Sequence, residues 1–582
     1  MYLPPLFTAW RQTLSTGYKL ENLRHDIIAG ITVGVIAIPL AMALAIAVGV
    51  PPQHGLYTVL IGGFFIALLG GSRFNVSGPT AAFVVILVPI TQQFGVGGLL
   101  LCTSMAGAIM ILMSVLRAGS LLQFIPYPVV LGFTAGIGIV IATLQIKDAL
   151  GLTHLAEYTN YLEQLQALFF ALPSIQWGDT LVTLITLATL LIWPRYVSKM
   201  PGHLVAILLG TLLAVALKYF GVPIATIGER FSYEVNGQTF AGIPSFLPSF
   251  LWPWELTGSD GQSLLLNFEL IRQLLAPAFA IAMLGAIESL LCAVVADGMT
   301  NTKHNSNGEL LAQGIGNIIT PMFGGITATA AIARTAANVR AGAFSPLAGM
   351  THALVVLGAM LLLAPLFSYL PMASMAALLL VVAWNMSEPK NVLRTLRIAP
   401  RNDILILLTC LVLTVLFDMV LAVGVGLLLA AGLFIKRMSD LTDTSTVSPE
   451  QSEALRDMPE GVITYAIRGP LFYGAAERAL SVLMRFNPNA KVVLIDMSAV
   501  PMLDMTALSG LEKVMNNFHK NDISVILVGT STDIRKKMRK AGIRLRRGKL
   551  SYVQDLTLAK ERATRWLHLD TPNDELMPEE QD

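Results

Sequence analysis

Charge is scarce in this sequence. Only 13% of its 582 residues are Asp, Glu, Lys or Arg, against about a quarter in an ordinary soluble domain. The shortage is local: residues 1–437 carry 20 Lys/Arg and 17 Asp/Glu, whereas residues 438–582 carry 19 and 20. One large soluble enzyme is therefore excluded, and a mean hydropathy of +0.66 agrees. A membrane domain over 1–437 and a small soluble domain behind it are expected. The net charges of the two parts, +3 and −1, do not suit a nucleic-acid binder. Cysteine is nearly absent. Cys102, Cys292 and Cys410 stand alone in apolar runs, which excludes a disulfide framework and a thiolate metal site. No Gly-rich loop ends in Lys-Ser/Thr, so ATP is not the expected energy source. Clustered histidines and paired carboxylates are missing too; an integral-membrane enzyme is disfavoured, and neither a cofactor nor a metal is expected.

What the sequence has is a series of long apolar runs. A membrane span needs about 20 apolar residues. Candidates are 27–49, 56–70, 80–93, 98–116, 124–143, 179–193, 204–219, 271–297, 310–322, 328–338, 346–369, 372–385, 404–418 and 419–435. The leader before Ile27 carries Glu21 and Asp26, and the first run continues past Pro39, so an uncleaved first span is expected rather than a signal peptide. With the N-terminus inside, fifteen Lys/Arg from Arg11 to Arg437 fall on the cytoplasmic side. Only Lys147, Lys218, Arg230 and Arg272 fall outside. This bias predicts an even span count with both termini cytoplasmic. The outer loop from Gly221 to Leu266, with Trp252 and Trp254, reads as an interfacial cap.

Two runs are short and interrupted: Ser77-Gly78-Pro79-Thr80-Ala81-Ala82-Phe83, and Gly324-Gly325 through Ala331-Ile332-Ala333-Arg334-Thr335. In each, a Gly/Pro/Thr stretch opens a helix of small residues. A helix that begins inside the bilayer leaves its first N–H groups without intrahelical partners. Such groups are tolerated where they line a cavity or hold a ligand. Two such ends, each carrying part of a positive charge, suit an anion. The runs are third and tenth in order, the spacing of two seven-span repeats of inverted topology. Close packing of small residues is the competing reading. Glu288 stands mid-span with no charged neighbour within eight positions; it must be neutral, paired or facing a wet cavity. Arg334 either lends charge to the site or caps carbonyls near the cytoplasm. Asp297, Glu309, Asp403 and Asp418 fall near span ends and read as caps. Pro39 sits inside the first span, where it frees a carbonyl and kinks the helix.

Taken together these residues resemble the sulfate permease (SulP) family of anion transporters. Asp26-Ile27-Ile28-Ala29-Gly30 with Ile38-Pro39 is similar to the family's first-span signature, and Ser77-Gly78-Pro79-Thr80 to its third segment. Glu288-Ser289 with Val295-Ala296-Asp297 resembles its eighth span, and Gly324-Gly325 through Arg334-Thr335 its tenth. The resemblance implies an α-helical polytopic fold of 14 segments as 7+7 inverted repeats, in which a core moves against a gate. It implies secondary active transport of an anion held by Thr80, Ala81, Ala331, Ile332 and Arg334. Pro39 and Met42 would line the cavity, and Glu288 would couple transport to protons. Cys292 takes a position where sodium-coupled bicarbonate members tend to carry a hydroxyl, and a thiol is a poor ligand for a hard cation. The runs 34–45 and 72–87 are most similar to the bacterial C4-dicarboxylate branch, implying succinate, fumarate or aspartate uptake at a bacterial inner membrane; sulfate, bicarbonate or an anion channel are the alternatives. A homodimer in membrane lipid is implied.

Residues 438–458 read as a polar linker, 459–567 as a small α/β domain and 568–582 as an acidic tail. Strands are expected over 461–467, 491–497 and 523–528, alternating with helices over 474–486, 504–519 and 533–541. The pattern resembles a STAS domain, the fold of anti-sigma-factor antagonists. Those proteins carry a phosphorylatable Ser after the Asp that matches Asp504; here the position is Met505. The basic stretch from Arg535 to Lys549 reads as a solvated face. The resemblance also permits an acidic partner there, such as acyl carrier protein.

Overall fold

The computed structural model describes residues 6–568 apart from 121–124, 154–155, 157–159, 197–200, 236–237, 257, 259–263, 265, 418, 448–454, 457, 485–489 and 547. It divides into two compact units, Met1–Leu428 and Leu429–Asp582.

The first unit is helical. In chain order its segments begin with α1 (Leu20–Val48) and α2 (Pro52–Leu69, with a π turn over Thr58–Gly63). The helix Ala81–Val115 is broken at Gly95, whose φ of 68° no helix accommodates, giving α3 (81–94) and α4 (96–115). Next are α5 (Tyr127–Leu150), α6 (Trp177–Tyr196), α7 (Gly202–Tyr219), α8 (Phe268–Thr300) and α9 (Ser306–Ile319). The series closes with α10 (Ile332–Arg340), α11 (Leu347–Phe367), α12 (Met372–Ser387), α13 (Arg401–Leu416) and α14 (Met419–Asp440). The fourteen expected segments are all present, and ten helices among the described residues are long and apolar enough to cross a membrane. Four further helices among the described residues, Thr8–Ser15, Tyr161–Ala171, Ile227–Arg230 and Pro389–Ile398, lie outside the expected spans.

Strand β1 (Ser77–Gly78) leads into α3. Strands β2 (Ser232–Val235) and β3 (Gln238–Ala241) form a hairpin in the outer loop, and β4 (Thr329–Ala330) leads into α10. Because β1 and β4 pair antiparallel, the third segments of the two halves run oppositely, as inverted repeats require. The outer loop is structured: Thr226 and Glu229 form a capping box, and the Trp252 and Trp254 rings stack at 4.8 Å.

Small residues bring the core helices together. A Cβ on Gly30 would stand 2.5 Å from the Thr351 Cβ, and one on Gly34 2.8 Å from Val355, so α1 and α11 pack at a distance only glycine permits. Where α1 begins, Asp26 is fully buried and accepts from the Phe344 N–H (2.6 Å), the Ser345 N–H (2.9 Å), the Ser345 hydroxyl and the Tyr18 hydroxyl (2.7 Å). Burial and the bond to Asp26 push the Tyr18 phenol up to about 12. Arg73 donates to the Phe344 carbonyl and lies over that ring at 4.4 Å; burial lowers its pKa and Asp26 opposes the shift. One carboxylate thus ties the start of α1 to the turn before α11.

The second unit holds a five-stranded sheet in the order β5 (Asp443–Thr446), β6 (Val462–Arg468), β7 (Val492–Ala499), β8 (Ser524–Val528), β9 (Leu550–Val553). Only β5 is antiparallel to its neighbour. Helices α15 (Ala476–Met484), α16 (Met505–Lys520) and α17 (Thr532–Lys540) follow β6, β7 and β8, and α18 (Leu556–His568) follows β9. Asp504 caps α16, accepting from the Ala507 N–H, while its other oxygen accepts from Tyr473. The 438–458 stretch is not simply a linker. It contains the end of α14 and the strand β5, which pairs with β6 and buries Thr444. Beyond His568 the acidic tail lies outside the described residues.

Candidate functional site

The two interrupted segments meet. Ser77 pairs with Ala330 and Gly78 with Thr329, and the Ala331 N–H donates to the Val76 carbonyl at 3.2 Å. Thr80 and Ala331 are the extended residues that open α3 and α10, and neither helix has a side-chain cap. The first-turn N–H groups of both helices are therefore unclaimed by a side-chain cap and follow directly from one crossing. Ala81 is buried and Ala331 half-buried, whereas Ile332 and Ala333 are exposed.

Three charged side chains stand at the crossing or hold it. Glu288, half-buried on α8, accepts from the Thr80 hydroxyl at 3.0 Å. The fold thus supplies a partner that local sequence does not, 208 residues away. Arg334 is 4% exposed and donates to the Pro79 carbonyl at 2.5 Å. Its guanidinium fills the space where a Gly78 side chain would stand, which explains glycine there. What Arg334 is seen to do is hold the Pro79 carbonyl, and its Nε has no hydrogen-bond partner among the described residues. The third is Glu309. It reads in the sequence as an end cap but is 1% exposed. Its Oε2 accepts from the N–H groups of Gly71 (2.9 Å) and Ser72 (3.0 Å), and its Oε1 from Asn75 (2.8 Å) and Gln313 (3.2 Å).

Glu309, Gln313 and Asn317 recur every fourth residue on α9, one above the other. Gln313 also donates to the Ser77 hydroxyl, and Asn317 makes two 2.8 Å bonds to the backbone of Ala328. One polar stripe thus holds the lead-in of both half-helices. On α8, Ser289 bonds Thr329 (2.7 Å), and the Cys292 thiol lies 3.3 Å from the Ala330 carbonyl. The only sequence signal for the stripe is its polar i, i+4, i+8 spacing in an otherwise apolar segment. Replacing Glu309 by Ala orphans the buried N–H groups of Gly71 and Ser72, each worth about 1–3 kcal/mol, and leaves Asn75 with Ser289 and Gln313 with Ser77 as remaining partners. The thermal midpoint of the purified protein should fall by roughly 5–10 °C or more. Pro39 and Met42 are both buried on α1, Met42 completely, so they are packed rather than open to a cavity in this conformation.

The sulfate permease family profile matches residues 23–410, and the STAS domain profile matches residues 456–546. The chain belongs to the sulfate permease family. "Putative sulfate transporter YvdB" of Bacillus subtilis (strain 168) is 41% identical over 528 residues, 90% of this chain and 95% of that protein. The bicarbonate transporter BicA of Picosynechococcus sp. (strain ATCC 27264 / PCC 7002 / PR-6) is 31% identical, covering 89% and 91%. Among solved structures, the transmembrane domain of a cyanobacterium bicarbonate transporter BicA matches 70% of this chain and 99% of that one at a TM-score of 0.60 and 31% identity. The overall structure of SLC26A9 shares the fold alone, at a TM-score of 0.82 and 18% identity over 97% of this chain. This sulfate permease family member is accordingly a multi-pass membrane anion transporter with a C-terminal STAS domain, and not an enzyme.

Proposed function

We propose that the chain carries a small inorganic oxyanion, sulfate or bicarbonate, across the membrane by alternating access, with the anion held between the N-terminal turns of α3 and α10. The observation that carries this reading is the antiparallel crossing of β1 and β4, which opens two uncapped helices at one point. Thr80, Ala81, Ala331 and Ile332 would form the contacts, and Arg334 would fix the Pro79 turn while adding positive charge. Pro39 and Met42 would enter the cavity wall only when α1 moves. The similarity to proteins named as sulfate and bicarbonate transporters favours those anions over the C4-dicarboxylates implied by the runs 34–45 and 72–87. A homodimer in a bacterial inner membrane, with both termini cytoplasmic, completes the proposal. Acyl carrier protein keeps only the support of the basic face of the STAS domain.

Thr80 and Glu288 supply a route to proton coupling. The Thr80 hydroxyl has one proton to donate, and it donates it in a hydrogen bond to Glu288. Protonating Glu288 removes a negative charge beside the site and frees that hydroxyl to donate to the anion. Proton and anion then bind in each other's favour. The test is uptake into vesicles containing the purified protein, with labelled sulfate and labelled bicarbonate, and succinate as competitor. One of the two inorganic anions should accumulate when the outside is acidified, and excess succinate should not block it. Uptake of labelled succinate in a parallel sample, with neither inorganic anion accumulated, would return the dicarboxylate reading.

A further inference from the structure

The helix Pro389–Ile398 buries none of its residues. It is tied closely to the membrane-embedded helices on either side. Only Glu388, at φ 42°, separates it from the end of α12 at Ser387, and only Ala399 and Pro400 from the start of α13 at Arg401. It cannot leave the membrane surface without pulling a span with it.

Its surface has two characters. Lys390, Arg394 and Arg397 recur at i, i+4 and i+7 on one face, continued by Arg401, and all four are exposed. None of the four has an ion-pair partner among the described residues. The carboxylate that precedes the helix, Glu388, accepts from Asn391 at 2.6 Å. On the flank, Leu393 and Leu396 are 54% and 36% exposed. Two exposed aromatics adjoin the helix: Trp384 near the end of α12, and Tyr127, which opens α5 within electrostatic reach of Arg394. Aromatics of this kind settle at headgroup level.

We propose that Pro389–Ile398 lies in the headgroup layer and binds acidic phospholipids, with Lys390, Arg394 and Arg397 on the phosphates and Leu393 and Leu396 in the acyl boundary. The complementarity is of charge and of polarity together. Unpaired cations call for anions, and leucines on a helix pinned between two spans call for the apolar edge of the same molecules. An acidic soluble protein would answer the charges but leave the leucines in water.

The test uses the full chain reconstituted in phosphatidylcholine vesicles with trace spin-labelled phosphatidylglycerol or spin-labelled phosphatidylcholine. The fraction of motionally restricted label gives the preference for the acidic lipid. Lys390→Gln/Arg394→Gln/Arg397→Gln should lower that preference at least threefold, with about fivefold per charge as the ceiling. The affinity for phosphatidylcholine should stay unchanged. Arg394→Gln alone, which disturbs the helix least, should give a smaller drop in the same direction. Lys536→Gln/Lys540→Gln in the STAS domain should give none. An unchanged preference in the triple and single variants, which would leave the charges to an acidic protein, overturns the proposal. So does an equal fall in the STAS-domain control.

Discussion

Ala331→Trp should eliminate anion binding in a protein that still folds. Ala331 is the extended residue that opens α10, and its N–H already bonds Val76. An indole there would fill the space an oxyanion needs and keep it from the first-turn amides of both helices. Thr80→Ala should do less. It removes one hydroxyl, worth about 1–3 kcal/mol to a charged acceptor, or roughly 5–150-fold in affinity. Because that hydroxyl also bonds Glu288, the loss should be larger at acid pH, where a protonated Glu288 releases the hydroxyl to the anion. Calorimetric titration of both purified variants with the transported anion checks the order of the two effects.

Glu288→Gln should make anion affinity independent of pH and abolish proton-driven accumulation. In the unmodified protein affinity should rise as pH falls, since protonation removes a repelling charge and frees the Thr80 proton. Gln keeps the length and hydrogen-bonding reach of Glu but cannot ionise, so its affinity should stay near the acid-side value of the parent. The pH profile distinguishes this role from a structural one: a merely misfolded variant would lose affinity at every pH. Full proton-coupled uptake by Glu288→Gln would remove this carboxyl from coupling.

The membrane spans were legible because the bilayer demands continuous apolar runs; most expected boundaries fall within about four residues of those observed, while α1 starts seven residues before expectation and α5 ends seven residues beyond it. Even the break at Gly95 was legible, as a gap between two runs. The helices Tyr161–Ala171 and Pro389–Ile398 were not, since a short amphipathic helix has the composition of a loop. Strand β5 was missed for a similar reason: Asp443–Thr446 is entirely polar and becomes a strand by pairing with β6. At the candidate site, the two interrupted segments and Glu288 could be named from local pattern, whereas Thr80 and Ala331 as contacts came only with the family resemblance. What Glu309 and Arg334 do could not. Glu309 serves a turn 238 residues away, and Arg334 a carbonyl 255 residues away. No local spacing encodes such partners.

The central claim is that the anion lies between the starts of α3 and α10. Selenate, the heavier analogue of sulfate, reports its own position by anomalous scattering. Crystals of the protein grown with selenate should give a selenium peak within hydrogen-bond distance of the first-turn amides that follow Thr80 and Ala331. The peak should vanish when excess sulfate is added, and Ala331→Trp crystals should lack it. A displaceable selenium peak elsewhere in the helical unit, with the crossing of β1 and β4 empty, would contradict the account.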